Sequence, residues 1–222
     1  MFAFAPLFFL RGKGPKRSVN WNANPVGLHD VDDRAFQLKF MQDKDGFYND
    51  QIWSPQDLSI HKTKSQYDPP PHYHLYADEH FYISAGSGVW HLWDRDVQLK
   101  KGDHFVLPPR EWHWFESDPS TEEPLIIHVK YDEGKAAMEE RFFRNTLSYV
   151  SDCLRDKVSP SIFQLMVFFI GMEMAPGLRI VPWEKVNLAL NVLFMYAIGG
   201  IGWLMGYRYS YDEYYRPRAK SS

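Results

Sequence analysis

The stretch that decides the fold is PPPHYHLYADEHFYISAGSG, residues 69–88. It places His72 and His74 two positions apart, and in a strand with its period of two both imidazoles point to the same face. Glu79 follows five positions after His74, beyond a break that ends at Asp78, so a second strand can return it to the same point. Two imidazole nitrogens and one carboxylate oxygen form a mixed ligand set that borderline divalent metals accept. The stretch therefore predicts three ligands of a metal site.

The residues around this stretch have the pattern of an antiparallel β domain. Between Glu79 and Asp132, short apolar runs alternate with turn residues at a spacing of about 8–12 positions, which is typical of a sandwich or barrel. The predicted strands are 79–84, 89–94, 97–100, 104–107, 112–116 and 124–131, with earlier short strands at 33–41 and 58–61.

A candidate fourth ligand lies further along the same β region. A glycine turn at Gly102 leads into a strand, a proline turn at Pro108 follows, and His113 begins the next strand. His113 is the candidate fourth ligand.

Together the two stretches resemble the cupin superfamily. The family motifs are G-x5-H-x-H-x3,4-E-x6-G and G-x5-P-x-G-x2-H-x3-N, and the ligand types and spacers of this chain agree with both. The residues at the matching positions are His72, His74, Glu79, Gly86, Gly102, Pro108 and His113. Three positions depart from the motifs: Gln66 and Arg110 stand where the family has glycine, and Ser117 stands where it has asparagine. None of the three departures removes a ligand.

The resemblance implies a small jelly-roll barrel that holds one divalent metal through His72, His74, Glu79 and His113, with Glu79 and His113 as the catalytic candidates. Three histidines and one carboxylate leave one or two positions open on an octahedral ion, and open positions are what catalysis needs. Fe(II) is the favoured metal, and Mn(II), Ni(II) and Zn(II) are the alternatives. The competing interpretation is that these histidines are ordinary polar strand residues without a metal.

The other histidines and the tryptophans of the β region have several interpretations. His80 should point away from Glu79, on the opposite face of its strand. Three further histidines on predicted strands could project into the barrel as proton carriers, or could be packed or exposed, namely His91, His104 and His128. Some of the tryptophans should line the interior or pack in the core, namely Trp90, Trp93, Trp112 and Trp114.

After Gly134 the hydrophobic period becomes helical and predicts helices at 135–156, 161–174 and 186–207. The last of these runs 22 residues without a charge, which is long enough for a membrane span. A helical hairpin that packs on the barrel or on a second subunit explains the same residues, so both interpretations stay open. We expect the tail at 207–222 to be a solvated end.

The N-terminal residues 1–10 are apolar and are followed by a basic cluster at 11–17. This segment either packs on its own or a partner's domain or forms an interfacial anchor aided by the basic residues. The predicted organisation is an N-terminal segment at 1–30, a cupin β-barrel at 31–133 and a helical extension at 134–222. The predicted fold class is mainly β, a single jelly-roll barrel with a C-terminal α-helical apolar extension.

Composition excludes some classes of protein. The 222 residues carry 25 Lys and Arg against 28 Asp and Glu, so no basic face for nucleic acid is indicated. The single cysteine, Cys153, excludes an internal disulfide framework and a cysteine-based zinc site, and it favours a reducing compartment such as the cytoplasm. Cys153 is expected to be a small buried side chain in a helix.

The layout of a cupin followed by an apolar helical tail also resembles short single-cupin proteins of filamentous fungi that act in secondary-metabolite pathways. This resemblance implies a metal-dependent enzyme acting on a small aromatic or polyketide-like compound. Among the possible reactions, oxidation is favoured. Isomerisation, cyclisation, dehydration or decarboxylation at the same metal comes second. A non-catalytic ligand-binding cupin and a membrane-tethered cupin are the competing classes. The resemblance also implies a homodimer.

Overall fold

The computed structural model describes residues 5–27, 36–43, 46–53, 68–118, 120–121, 123–131 and 133–217. The short strand predicted at 58–61 and the motif position Gln66 lie outside the described residues.

Two antiparallel sheets form the barrel, as the turn spacing predicts. The first sheet has the order β1 (Val26–Gly27), β2 (Phe36–Asp43), β3 (Gly46–Trp53), β10 (Leu125–Tyr131), β5 (Glu79–Ala85) and β8 (His104–Leu107). The second has the order β11 (Met174–Pro176), β4 (His72–His74), β9 (His113–Ser117), β6 (Ser87–Leu92) and β7 (Asp96–Lys100).

The core of the barrel comes from alternate residues of facing strands. On β10 the buried positions are Leu125, Ile127 and Val129, and the residues between them are partly exposed or exposed. Aromatic side chains join the two sheets, since the rings of Trp53 on β3 and Phe115 on β9 lie 4.9 Å apart. The mainly β jelly-roll prediction is therefore confirmed.

Three of the motif positions that the family fills with glycine lie within the described residues, and each of the three has a positive φ. Gly86 has φ +68°, and an added Cβ would lie 2.5 Å from the carbonyl oxygen of Pro124. Gly102 has φ +94°. Arg110 has φ 71°, so it adopts the left-handed conformation that glycine adopts most easily. The backbone N–H of Arg110 donates to the carbonyl of His74 at 2.7 Å, which holds this turn against the strand of the metal-ligand candidates.

Three helices follow the barrel: α1 (Glu133–Arg155), α2 (Ile162–Met172) and α3 (Glu184–Leu204). Their existence was predicted correctly, but the helix predicted at 161–174 ends at Met172. Glu173 takes a left-handed conformation with φ 58°, and the chain then enters β11. β11 pairs with β4, with Met174 opposite His74, so it satisfies backbone groups that would otherwise be unpaired at the sheet edge.

The two apolar helices pack closely against each other. An added Cβ on Gly199 of α3 would lie 2.4 Å from Cδ1 of Ile170, and one on Gly202 would lie 2.8 Å from the carbonyl oxygen of Phe163. Both partners belong to α2. The outer face of β4 packs on this pair, because Tyr73 shares a buried cluster with Met166 of α2 and Met195 of α3. This arrangement is the helical hairpin on the barrel, one of the two interpretations that the sequence left open.

The prediction of a solvated tail at 207–222 was wrong for the part of it that the structure describes, through residue 217. Tyr214 is fully buried, and its hydroxyl donates to the carboxylate of Asp152 at 2.6 Å. The hydroxyl of Tyr211 lies 2.5 Å from Oε1 of Gln164. Tyrosine rings bury a large apolar area when their hydroxyl groups find partners, and here α1 and α2 supply those partners.

The described part of the N-terminal segment lies on the helices. The N–H of Ser18 donates to Asp152 at 2.7 Å, and the N–H of Leu7 donates to the carbonyl of Leu204 at 2.9 Å. This agrees with the interpretation that the segment packs on its own domain. Cys153 is fully buried in α1, as expected. The division into segments at 1–30, 31–133 and 134–222 stays a prediction.

Candidate metal centre

Four side chains from three strands converge at one end of the barrel interior. His72 and His74 come from β4, Glu79 begins β5, and His113 begins β9. The register places His72 directly opposite His113, and the period of two in β4 puts His74 on the same face as His72. The potential ligand atoms of the four residues all lie within 4.8 Å of one another. The structure thus brings together all four residues that the sequence selects.

The carboxylate of Glu79 is at the centre of this cluster. Its Oε2 lies 3.2 Å from Nε2 of His74 and 3.0 Å from Nε2 of His113. The imidazole rings of His72 and His113 are 4.2 Å apart between centroids. All four side chains are buried, with exposed fractions between 1% for His113 and 8% for Glu79. Burying four polar side chains this close together costs free energy unless they interact with one another or with a bound ion.

Two backbone carbonyls fix which nitrogen of each ring faces the site. Nδ1 of His72 donates to the carbonyl of Pro70 at 2.8 Å, and Nδ1 of His113 donates to the carbonyl of Glu111 at 3.0 Å. In a metal-bound site, this leaves the lone pair of Nε2 on each ring for the ion, in place of the contact that Nε2 of His113 makes with Glu79. Metal-binding histidines use this arrangement, in which an outer hydrogen bond sets the tautomer and orientation of the ring.

The charge states of the cluster also suit a cation. Burial, together with the neighbouring imidazoles of His113 and His74, holds the pKa of His72 well below its usual value, so this ring is neutral at pH 7. Burial alone would raise the pKa of Glu79. The imidazoles of His74 and His113 outweigh that effect and hold the pKa of Glu79 well below its usual value, so the carboxylate is anionic. A neutral imidazole and a carboxylate anion are the forms that ligate metals.

The donor set therefore fits a divalent ion. Three nitrogen donors and one oxygen donor, all buried and held by strands, match the preferences of borderline first-row metals. His72, His74, Glu79 and His113 could hold one metal ion, and no fifth protein ligand joins them among the residues that the structure describes.

An aromatic layer lies deeper in the barrel than the cluster. Phe81 follows Glu79 at the next inward position of β5, and its ring lies 5.3 Å from that of Trp90 and 5.7 Å from that of Phe115. Trp90 and Phe115 stack at 5.0 Å. The prediction that some tryptophans occupy the interior thus holds for Trp90. Trp112, by contrast, is buried in the cluster that contains the outer face of β4 and the helices.

Polar groups on β3 were missed in the sequence. Asn49 and Gln51 are buried at 2% and 4% exposure, and Asn49 pairs with Val129, which pairs with Phe81. Asn49 therefore lies in the same row of paired residues as Phe81, and this row is next to that of Glu79. Its Oδ1 is buried without a hydrogen-bond partner in the described part of the chain, and so is Nε1 of Trp90. The signal was the alternation Asn49-x-Gln51-x-Trp53, which marks these residues as one face of a strand.

The other four histidines that the structure describes lie on the outside of the barrel. His80 points away from Glu79, as predicted, and lies beside His104. Of the two interpretations left open for His91, His104 and His128, the structure supports the packed or exposed one. His91 and His128 alternate with buried neighbours of their strands, and His104 is exposed. Their partners are on the outer surface: His104 stacks on Tyr82 at 4.0 Å, His91 stacks on Trp114 at 4.0 Å, and His128 pairs with Asp50.

Comparisons with known proteins agree with this description. A sequence model described as the cupin domain matches residues 62–129. The probable oxidoreductase virH of Hypocrea virens is 29% identical over 206 residues, which cover 91% of each chain. The oxidoreductase iacF of Pestalotiopsis fici is 33% identical over 111 residues, which cover 46% of this chain and 52% of iacF.

Among solved structures, a cupin-like protein from Thermotoga maritima superposes with a TM-score of 0.33 and 21% identity, covering 47% of this chain and 75% of that one. The matched residues 62–129 include the four converging side chains and both motifs. Residues 62–129 of this chain therefore match the cupin domain, in agreement with the motifs of the sequence.

Proposed function

We propose that this chain is a metal-dependent oxidoreductase of the cupin type that acts on a small aromatic or polyketide-like metabolite in fungal secondary metabolism. The observation that carries the proposal is the convergence of three imidazoles and one carboxylate within 4.8 Å in a buried site. Two relatives that are named oxidoreductases support the redox class, and one of them matches along 91% of its length.

In this proposal His72, His74, Glu79 and His113 hold one divalent ion, with Fe(II) favoured over Mn(II), Ni(II) and Zn(II). When bound, such an ion offers open positions to oxygen or to a substrate oxygen and supplies redox chemistry. Glu79 is the one anionic group of the four and balances the charge of the ion. Glu79 and His113, 3.0 Å apart, are the groups placed to hold or move the proton of a substrate hydroxyl.

The proposal of an aromatic substrate rests on the aromatic character of the barrel interior. Phe81, Trp90 and Phe115 pack against one another there and are fully or almost fully buried. The unpaired Oδ1 of Asn49 and Nε1 of Trp90 offer one acceptor and one donor, and leaving such groups unpaired in a buried site costs about 1–3 kcal/mol each.

The open coordination position can be tested without knowing the substrate. The metal-free protein is loaded with Fe(II) under anaerobic conditions and exposed to nitric oxide, which binds ferrous iron where oxygen would. We expect the electron paramagnetic resonance signal of an iron–nitrosyl complex, and we expect Glu79→Ala to lose it. His91→Ala is the matched control, because His91 is on the outer surface.

Turnover separates the reaction classes. The Fe(II)-loaded and Zn(II)-loaded proteins are each incubated with a panel of phenolic and polyketide-like compounds while oxygen uptake and product mass are recorded. Oxygen uptake that requires Fe(II) supports the proposal. Product formed equally with Zn(II) and without oxygen uptake would replace it with an isomerase, cyclase or decarboxylase. Ligand binding without any product under either metal would make the chain a binding cupin.

A further inference from the structure

One face of α3 is exposed and carries no charge. The sequence from Val186 to Tyr207 has no charged residue, although a helix exposed to water normally carries charges on its outer face. The large apolar side chains exposed along and beside this helix are Trp183, Val186, Leu193, Tyr196, Ile201, Trp203 and Leu204. The most exposed of these in mid-helix is Leu193, at 66%. We call this surface the α3 outer face.

The opposite face of α3 is fixed to the protein. Asn187 and Asn191 are fully buried, and their side-chain amides both donate to the carbonyl of Leu178 at 2.8 Å. The N–H of Ile180 donates to the side chain of Asn187 at 2.7 Å. A helix held in this way by one side presents its other side to a surface, and crossing a bilayer would require breaking these contacts. α3 is long and apolar enough to cross a membrane, but the contacts of its buried face favour a helix that lies on the membrane surface.

The N-terminal segment extends the same apolar surface. The hydrogen bond from Leu7 to Leu204 places the short 3-10 helix Phe8–Leu10 at the end of α3. Phe8 is 60% exposed and Phe9 is 76% exposed. Aromatic side chains therefore stand at both ends of the surface, with Trp183 at one end and Trp203 with these phenylalanines at the other. Aromatic rings are enriched where a protein meets the headgroup region of a bilayer.

Positive charge is concentrated at one end of the α3 outer face. Residues 5–17, which meet the C-terminal end of α3, carry Arg11, Lys13, Lys16 and Arg17 and no acidic residue, a net charge of +4. The whole chain has a net charge of −3, so the rest of the chain carries −3 − 4 = −7. At the other end, Arg179 lies over the rings of Trp93 and Trp112, and Glu184 lies near Glu111 and Asp94, so that end carries no net positive charge. The apolar surface is thus bordered at one end by a basic segment in an otherwise acidic protein.

A cavity of about 440 Å³ opens beside Phe8. Three guanidinium groups line it, those of Arg11, Arg17 and Arg208, together with the carboxylates of Asp212 and Glu213. Arg17 pairs with Glu213 at 2.9 Å, and the cavity lining carries a net charge of +1. Guanidinium groups bind phosphate in a bidentate manner, so the cavity suits a phosphate group at the edge of the apolar surface.

We infer that the α3 outer face and residues 7–10 dock this protein on a lipid surface that contains anionic phospholipid headgroups, with α3 lying in the plane of the membrane. A second copy of the chain fits this face less well. A two-fold dimer with parallel α3 helices would bring the basic segments at residues 11–17 of both copies together, which like charges disfavour. The homodimer that the family resemblance predicts would use another surface.

The test is co-sedimentation of the full chain with vesicles of phosphatidylcholine alone and of phosphatidylcholine with phosphatidylserine. We expect binding to the phosphatidylserine vesicles, and we expect Leu193→Asp to lower the partition coefficient at least about tenfold, since it replaces apolar contact with a charge. Val106→Asp is the control, because Val106 is exposed at 41% on β8. Circular dichroism confirms that both variants are folded.

The charge contribution is tested by Lys13→Glu with Lys185→Glu, both exposed positions, against Lys100→Glu with Lys101→Glu as a control of equal charge change. The first pair should lose binding to phosphatidylserine vesicles, and the second pair should retain it. The inference is overturned if the unmodified chain stays in the supernatant with anionic vesicles, or if Leu193→Asp binds as well as the unmodified chain. It is also overturned if light scattering shows a dimer that Leu193→Asp converts to a monomer, because a second copy then covers the face.

Discussion

The side-chain amide of Asn187 on α3 donates a hydrogen bond to the hydroxyl of Tyr73 at 3.0 Å, and both residues are fully buried. Tyr73 stands between His72 and His74 and points to the opposite side of β4. The helical extension therefore holds the strand of the two histidines from behind. β11, which joins the same extension to the barrel, pairs with β4 along its length.

We expect Tyr73 and Asn187 to be energetically coupled. Tyr73→Phe removes one hydroxyl, whereas Asn187→Ala also removes the contacts with Leu178 and Ile180, so the second change should cost more stability, about 3 kcal/mol against about 1 kcal/mol. A double-mutant cycle measured by urea unfolding should give a coupling of about 1 kcal/mol. Additive effects would show that the hydrogen bond does not join strand and helix.

Gly177 makes a close backbone contact with the residues that lead into β4. Its N–H donates to the carbonyl of Pro71 at 2.7 Å, and an added Cβ would lie 2.6 Å from the carbonyl carbon of Pro71 and 2.7 Å from the nitrogen of His72. Gly177→Ala should therefore displace His72, weaken metal binding about tenfold and cost about 1–3 kcal/mol of stability. Competition with a chromogenic chelator measures the affinity for the metal.

The control for this prediction is Gly14→Ala, because an added Cβ on Gly14 meets nothing within 4 Å. Gly14→Ala should leave both the affinity and the unfolding transition unchanged. If Gly177→Ala binds metal as tightly as the unmodified chain, the position of His72 does not depend on this contact.

The tyrosine-rich tail should contribute to global stability. Tyr214→Phe removes the hydrogen bond to Asp152 in a fully buried site, so we expect a loss of about 1–2 kcal/mol in the free energy of unfolding. Tyr209→Phe is the matched control, since Tyr209 is 49% exposed. Thermal unfolding of the two variants gives the comparison. Equal midpoints would mean that the tail does not pack as described.

The convergence of the four candidate ligands was predictable from the sequence because it depends on local spacing. The period of a strand places His72 and His74 on one face, and the turns at Gly86, Gly102 and Arg110 bring the other two strands back to the same end. Even the arginine that replaces a glycine keeps the required backbone conformation. The local sequence pattern and the global fold agree here, and this agreement is why the site could be identified from the sequence.

The features that were missed depend on contacts between residues far apart in sequence. β11 is only three residues long and exists because β4 has an edge to pair, which no property of Met174–Pro176 reveals. The burial of Tyr214 depends on Asp152, a residue 62 positions away. The polar residues Asn49 and Gln51 could have been found from their alternation, but their burial depends on the opposite sheet.

The metal content of the purified protein is the most direct test of the central claim. The chain is stripped with a chelator, loaded separately with Fe(II) and Zn(II), desalted and measured by inductively coupled plasma mass spectrometry. We expect about one ion per chain, an occupancy that falls at least about tenfold in His74→Ala, where one of four ligands is lost, and no change in His91→Ala, where the histidine lies outside the barrel. A protein that retains no ion, or a His74→Ala variant that retains as much as the unmodified chain, would contradict the account.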